Sequence, residues 1–171
     1  ESALPHHQGS GPIKENQPIV IDIFPRDIET GYFADITRTV VKGSPNQELK
    51  NLYNAVFEAQ KLGLSLIRSG IKCDMVHDAI FRFFQESGYQ TDYGKKTPQG
   101  FIHSTGHGLG LDVHEPPRIS KGRDILKENY VVTVEPGLYY KKLGGVRIED
   151  TILVTKNGYK NLTKFPKFLK I

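Results

Sequence analysis

Residues 103–115, HSTGHGLGLDVHE, place three of the chain's six histidines and three of its 17 glycines within thirteen positions. A helix would align His103, His107 and His114 on one face, but Gly106, Gly108 and Gly110 would each cost it about 1 kcal/mol relative to alanine. The segment therefore reads as extended chain. In a regular strand His103 and His107 point one way and His114 the other, unless a bulge or turn brings His114 back, and the glycines suit both a turn and a close backbone approach.

The flanks settle the class. PIVIDIF (18–24) and YFADITRTVV (32–41) are strand-like runs separated by the polar PRDIETG, a hairpin signal. Ser44, Pro45 and Gln47 read as N-cap, first turn and capping box, and Leu52, Val56, Ala59 and Leu66 recur at helical spacing up to Gly70. A second helix is expected over about 74–87, with Val76, Ile80 and Phe83 or Phe84 inward and Gly88 as its stop. YVVTVEPGLYY (130–140) and GGVRIEDTILVT (144–155), joined through KKLGG, read as another hairpin. Hairpin, two helices, glycine-rich segment and hairpin make an α+β fold with an antiparallel sheet.

The 171 residues suit one domain with a sizeable core. A single cysteine, Cys73, excludes an internal disulfide and suits a reducing, cytoplasmic compartment. No apolar run approaches the roughly 20 residues of a membrane span, and no signal-peptide pattern opens the chain. The net charge of +4 is spread over scattered lysines, so neither nucleic acid nor membrane is expected as a partner. Because the chain opens on Glu1 in loop-like sequence, it reads as a fragment or a processed product.

Carboxylates then stand out. Asp22 lies inside IVIDIF, where an unpartnered charge is not tolerated. Asp22 and Asp35 bracket the first loop symmetrically, so they are expected roughly opposite each other, and Glu135 and Glu149 bracket KKLGG in the same way. Like charges so placed repel. Each has an ordinary alternative: Asp35 paired to Arg38, Glu149 to Arg147, Asp22 as a satisfied core acid, His107 as a core histidine. Together, two acid pairs and a histidine segment are explained by two divalent cations neutralising four carboxylates, with an imidazole as fifth ligand. An oxygen-rich set favours Mn²⁺, with Co²⁺, Fe²⁺ or Zn²⁺ by availability, and such a metal pair serves hydrolysis.

GYFADITRT, HSTGHGLGLDVHE, TVEPGLYY and GGVRIEDTILVT, in this order over nearly the whole chain, resemble the metallopeptidases of the pita-bread fold, the group of methionine aminopeptidases, Xaa-Pro aminopeptidases and Xaa-Pro dipeptidases. The resemblance implies a curved antiparallel sheet covered by helices, here without its amino-terminal part, so that 1–171 would be the carboxy-terminal piece of a catalytic domain. It implies metal ligands at Asp22, Asp35, His107, Glu135 and Glu149, with Asp35 and Glu149 bridging, and substrate-facing histidines at His6, His103 and His114. GHGLGLDVHEPP and VRIED resemble the Xaa-Pro branch more than the methionine branch. The implied reaction is hydrolysis of an N-terminal peptide bond, Xaa-Pro, by a hydroxide bridging the metals, with Glu135 relaying the proton and His103 and His114 stabilising the intermediate. Arg147 would support Glu149, and Tyr139 would lie near the site. A homodimer is implied for the full-length protein. The other readings are a methionine aminopeptidase, a non-catalytic module of the same fold that binds peptides or proteins, and, last, a single-iron oxygenase built on HGLGLD.

Overall fold

The computed structural model describes residues 3–94 and 96–171. It opens with the expected hairpin, β1 (Pro18–Ile23) and β2 (Ile36–Val41). Two helices follow, α1 (Gln47–Leu66) and α2 (Cys73–Glu86). Next come β3 (Gly106–Gly108), β4 (Glu115–Ile119), β5 (Val131–Val134), β6 (Gly137–Tyr140), β7 (Gly144–Arg147), β8 (Asp150–Thr155) and β9 (Gly158–Asn161). The strands form an antiparallel sheet in the order β4-β3-β5-β8-β9 and two ribbons, β1-β2 and β6-β7.

The two ribbons and the sheet are tied together by one long hairpin. β5 pairs with β8 from Val131↔Leu153 to Val134↔Asp150, and β6 pairs with β7 from Gly137↔Arg147 to Tyr140↔Gly144. The register is the same on both sides of an interruption that holds Glu135 and Glu149, so these two acids face each other as expected. At the break their backbones change neighbours: Glu135 N–H donates to Thr105 O at 2.7 Å and Glu149 N–H to Thr37 O at 3.0 Å. The gap in the ladder is thus where the hairpin is stitched to β2 and to the histidine segment.

The first hairpin differs from expectation by two residues. Asp22 pairs with Thr37, which puts Asp35 just beyond the strand end and diagonal to Asp22. Diagonal neighbours on one face lie about 7–8 Å apart rather than about 5 Å. The midpoint estimate assumed a symmetric loop, whereas an isolated bridge between Arg26 and Phe33 and an Asp27 turn shape this one. The cap of α1 is also displaced. Asn46, not Ser44, accepts the Leu49 N–H at 2.8 Å, while Ser44 N–H donates to Asn16. The helix ends at Leu66 because Ile67 turns extended, and Gly70 serves the following loop, donating to Leu126 O.

Alternation along the strands separates core from site. Val132, Val134, Ile152 and Val154 are fully buried in the cluster that also takes Leu52, Val56 and Ala59 of α1 and Val76, Ile80 and Phe84 of α2. Each of these side chains larger than alanine contributes about 1.5–3 kcal/mol by leaving water. The intervening residues, Thr133 and Glu135, Glu149 and Thr151, and Thr37 and Thr39 on β2, carry the polar contacts described below. On β1, Ile21, Ile23 and the following Phe24 are exposed at 45%, 55% and 54%, so the Asp22 strand carries an uncovered apolar area. No helix of the described residues is long and apolar enough to cross a membrane.

Candidate active site

The histidine segment owes its path to close packing. A Cβ at Gly106 would lie 2.0 Å from Thr133 O, and one at Gly108 would lie 2.4 Å from Pro116 O, so only glycine lets β3 run between β4 and β5. The β3–β4 ladder shifts register between His107 and Gly108, the bulge that the sequence anticipated. The chain then loops back, and the His114 ring stands perpendicular to that of His107 with 4.3 Å between centroids.

A cavity of about 370 Å³ opens over the interrupted hairpin. Its lining includes all of Asp22, Asp35, His107, Glu135 and Glu149, together with His6, His103, His114 and Arg147. Tyr139 lies beneath the wall, its hydroxyl 3.1 Å from His103 Nε2. Ligand atoms of Asp35, His107 and Glu149 lie within 4.8 Å of one another, and all three residues are buried. His107 Nε2 is 3.3 Å from Glu135 Oε1 and 3.7 Å from Asp35 Oδ2. His107 Nδ1 donates to Gly108 O at 3.0 Å, which leaves Nε2 turned to the carboxylates, where it donates to Glu135 in the absence of a cation and can offer its lone pair to one.

These acids are poorly satisfied by protein groups alone. Asp35 Oδ1 is buried without a hydrogen-bond partner. Thr37 Oγ1 lies 2.8 Å from Asp22 Oδ1 and 2.7 Å from Glu149 Oε2, yet one hydroxyl has one proton to give. Burial, then the charges of Asp22 and Glu135, push the Asp35 carboxyl up to about 7 against the pull of His107. Burial beside Glu135 and Asp35 holds Glu149 well above the ordinary carboxyl range. Burial would raise Glu135 too, but the His107 hydrogen bond and the nearby His107 and Arg147 charges outweigh it and hold Glu135 low. An orphaned carboxylate oxygen, a hydroxyl shared by two carboxylates and an imidazole nitrogen turned to them fit divalent cations, and oxygen donors with one imidazole suit Mn²⁺, Co²⁺, Fe²⁺ or Zn²⁺.

Arg147 makes its direct ion pair with Asp22 and supports Glu149 through Thr37. Its Nη2 pairs with Asp22 Oδ2 at 2.6 Å, not with Glu149, which it reaches only through Nε and the Thr37 hydroxyl at 3.2 Å. Nη1 donates to Pro5 O and to Tyr139 Oη, at 2.9 and 2.8 Å. Tyr139 is fully buried and its hydroxyl is pushed up to about 12, chiefly by that burial. Nor does Arg38 pair with Asp35; it turns to Asp150. His103 Nδ1 meets Ser104 O at 2.7 Å and burial drives the ring's pKa down to about 4, so the neutral ring accepts the Tyr139 O–H at Nε2. Both of its nitrogens are therefore engaged. His114 is exposed on the cavity, with its pKa lowered by partial burial and by His107. His6 reaches the same cavity from an exposed N-terminal turn.

Sequence reading missed Arg118 and Ser120, which line the cavity from and just beyond β4. Arg118 sits opposite His107 in the ladder, and its charge helps hold His114 neutral. β4 carries two adjacent prolines, which hid it as a strand.

Residues 1–156 match the model of metallopeptidase family M24. The chain is 46% identical over 165 residues to a Xaa-Pro dipeptidase of Pyrococcus furiosus, covering 95% of this chain and 44% of that protein. Among solved structures, it resembles the prolidase of Pyrococcus horikoshii (TM-score 0.88, 45% identity) and an X-Pro aminopeptidase of Thermotoga maritima (TM-score 0.88, 38% identity). The match covers 98% and 99% of this chain and 46% of each of theirs. The chain thus spans a little under half the length of the relatives it matches.

Proposed function

Given that the chain belongs to metallopeptidase family M24 and has its pita-bread fold, we propose that it hydrolyses the N-terminal peptide bond of Xaa-Pro substrates. Asp22, Asp35, His107, Glu135 and Glu149 would hold two divalent cations, Mn²⁺ foremost. When bound, the ions supply Lewis acidity, lowering the pKa of water and polarising the scissile carbonyl. The observation that carries this reading is the convergence of Asp35, His107 and Glu149 at the wall of one cavity, with a buried Asp35 oxygen that has no hydrogen-bond partner.

The residues divide the remaining work. Glu135, held ionised, takes the proton of the attacking water on a carboxylate oxygen and returns it to the leaving amide nitrogen. His114, neutral and on the open side, donates to the oxygen on which charge develops. His6, on the same wall, contacts the peptide. His103 orients the Tyr139 hydroxyl, which with Arg147 fixes Asp22. Arg118 gives the cavity a cation suited to a free substrate carboxylate, which favours a dipeptide over a longer chain.

The test is full-length protein assayed on Xaa-Pro and Xaa-Ala dipeptides with Mn²⁺ and with chelator. Cleavage confined to the Xaa-Pro peptide, dependent on metal and abolished by Asp35→Asn or His107→Ala in a folded protein, is the expected result. Equal rates, or preference for an amino-terminal methionine, would move the assignment to the methionine aminopeptidases. Peptide binding without hydrolysis would make the protein a non-catalytic module.

A further inference from the structure

The segment after β9 is not a passive tail. Arg38 is buried, and all five of its N–H donors are used. Nε donates to Pro166 O at 3.2 Å, Nη1 to Thr37 O at 2.9 Å and to Glu149 O, and Nη2 to Asp150 Oδ1 and Phe165 O, both at 2.8 Å. One guanidinium thereby joins two carbonyls of the tail to the carbonyl of Glu149 and to that of Thr37, whose hydroxyl touches Asp22 and Glu149. Asp150, fully buried, is completed by Lys167 from the tail and by Asn161 at 2.9 Å.

A second path runs beside the first. Thr151 N–H donates to Thr163 Oγ1 at 2.9 Å, Leu162 N–H donates back to Thr151 O at 3.0 Å, and the Thr151 hydroxyl donates to Asp35 O at 2.7 Å. Farther along, Val41 N–H donates to Leu169 O and Ile171 N–H to Val41 O, so the tail lies along β2, the strand that follows Asp35. The tail therefore reaches the backbone of both Asp35 and Glu149 through single intermediaries.

We infer that residues 162–171 form an outer brace which, through Arg38 and Thr151, sets the positions of Asp35 and Glu149 and so the affinity of the site for metal. Arg38 and Thr151 are positioning residues; neither touches the cavity. The inference rests on the reading of Asp35 and Glu149 as metal ligands. A brace of this kind matters because carboxylates that repel one another spread apart unless their backbones are fixed, and partners that orient metal ligands are typically worth 10- to 100-fold in affinity.

The experiment uses full-length protein carrying Thr163→Val, Thr163→Ser, or a stop after Leu162, with Asp35→Asn and Glu149→Gln as references. Mn²⁺ affinity is read by calorimetry, and metal-free unfolding by melting in chelator. Thr163→Val is expected to weaken Mn²⁺ binding about tenfold with unchanged metal-free melting, Thr163→Ser to restore it, and the truncation to cost about 100-fold. Wild-type affinity in Thr163→Val and the truncation, with loss of Mn²⁺ in the two references, would overturn the brace and leave the ligands standing. Wild-type affinity in Asp35→Asn and Glu149→Gln would overturn the ligand reading itself. If Thr163→Val lowers melting and affinity together, the tail is only structural and the brace fails. Should the truncated protein not fold, the valine and serine pair decides.

Discussion

Asp22 and Glu149 meet on one hydroxyl. Thr37 Oγ1 lies 2.8 Å from the first and 2.7 Å from the second, while accepting from Arg147 Nε at 3.2 Å. Without a cation, one of the two carboxylates must carry a proton to make the second contact favourable. The site is therefore strained by its own charge at neutral pH.

In chelator, stability should fall as pH rises above about 6.5. Asp35, raised to about 7, and Glu149, also raised, hold protons in the folded state that the unfolded chain has already lost, so folding is penalised as they ionise. His107, also raised, acts in the same sense. The depressed histidines, His77, His103 and His114, give the opposite slope but only below the unfolded histidine pKa of about 6.5. Melting from pH 6.5 to 8.5 should show a decline that Mn²⁺ removes and Glu149→Gln flattens; a level profile in chelator would contradict the charge accounting.

Arg147 is the cation that makes the metal-free arrangement tolerable. Arg147→Ala leaves Tyr139 without its donor and Asp22 without its ion pair, and should cost roughly 3 kcal/mol in metal-free unfolding. Arg147→Lys keeps the charge but not the fork that reaches Asp22, Thr37, Tyr139 and Pro5 together, and should recover only part of the loss. Chemical denaturation of the three proteins measures this, and equal stability of Arg147→Ala and wild type would refute it.

The glycines are tested by Gly106→Ala. The added methyl would lie 2.0 Å from Thr133 O, a backbone atom, so β3 must part from β5 and carry His107 with it. A cost of about 3 kcal/mol corresponds to a melting point lower by roughly 6–12 °C for a domain of this size. Gly158→Ala, with nothing within 4 Å, is the matched control and should melt with wild type.

Arg118 separates two substrate lengths. If its cation receives the carboxylate of a dipeptide, Arg118→Gln should raise KM for Xaa-Pro by about tenfold or more while leaving kcat within a few-fold. A C-terminally amidated tripeptide should be indifferent to the change. Equal effects on both substrates would remove Arg118 from carboxylate recognition.

What was legible in the sequence follows from the range of the forces involved. Alternation and turn residues gave both hairpins, and helical spacing gave both helices, because these are local signals. The Glu135–Glu149 pairing could be read from loop symmetry since its turn is short and regular; Asp22 and Asp35 were misaligned by two because theirs is not. Ser44 reads as a cap by residue type, but its N–H is spent on Asn16 and Asn46 caps the helix instead, a choice set by the path of the chain. The partners of the arginines lay beyond sequence altogether. Arg147 finds Asp22 and Arg38 finds Asp150 across more than a hundred positions, and nothing in either neighbourhood announces the choice.

The unbroken register of the long hairpin limits how this chain can change length. A strand's side-chain direction is a phase with two values, so losing one residue between Glu135 and Glu149 would turn one glutamate from the cavity toward the helices. Adding two at the Lys141–Leu143 tip preserves the phase, and adding one there preserves it only if the turn absorbs it. Insertions and deletions in descendants of this sequence should therefore collect at that tip and spare the stem. The turn is the evolutionary slack of a hairpin whose other residues are held in step by two carboxylates.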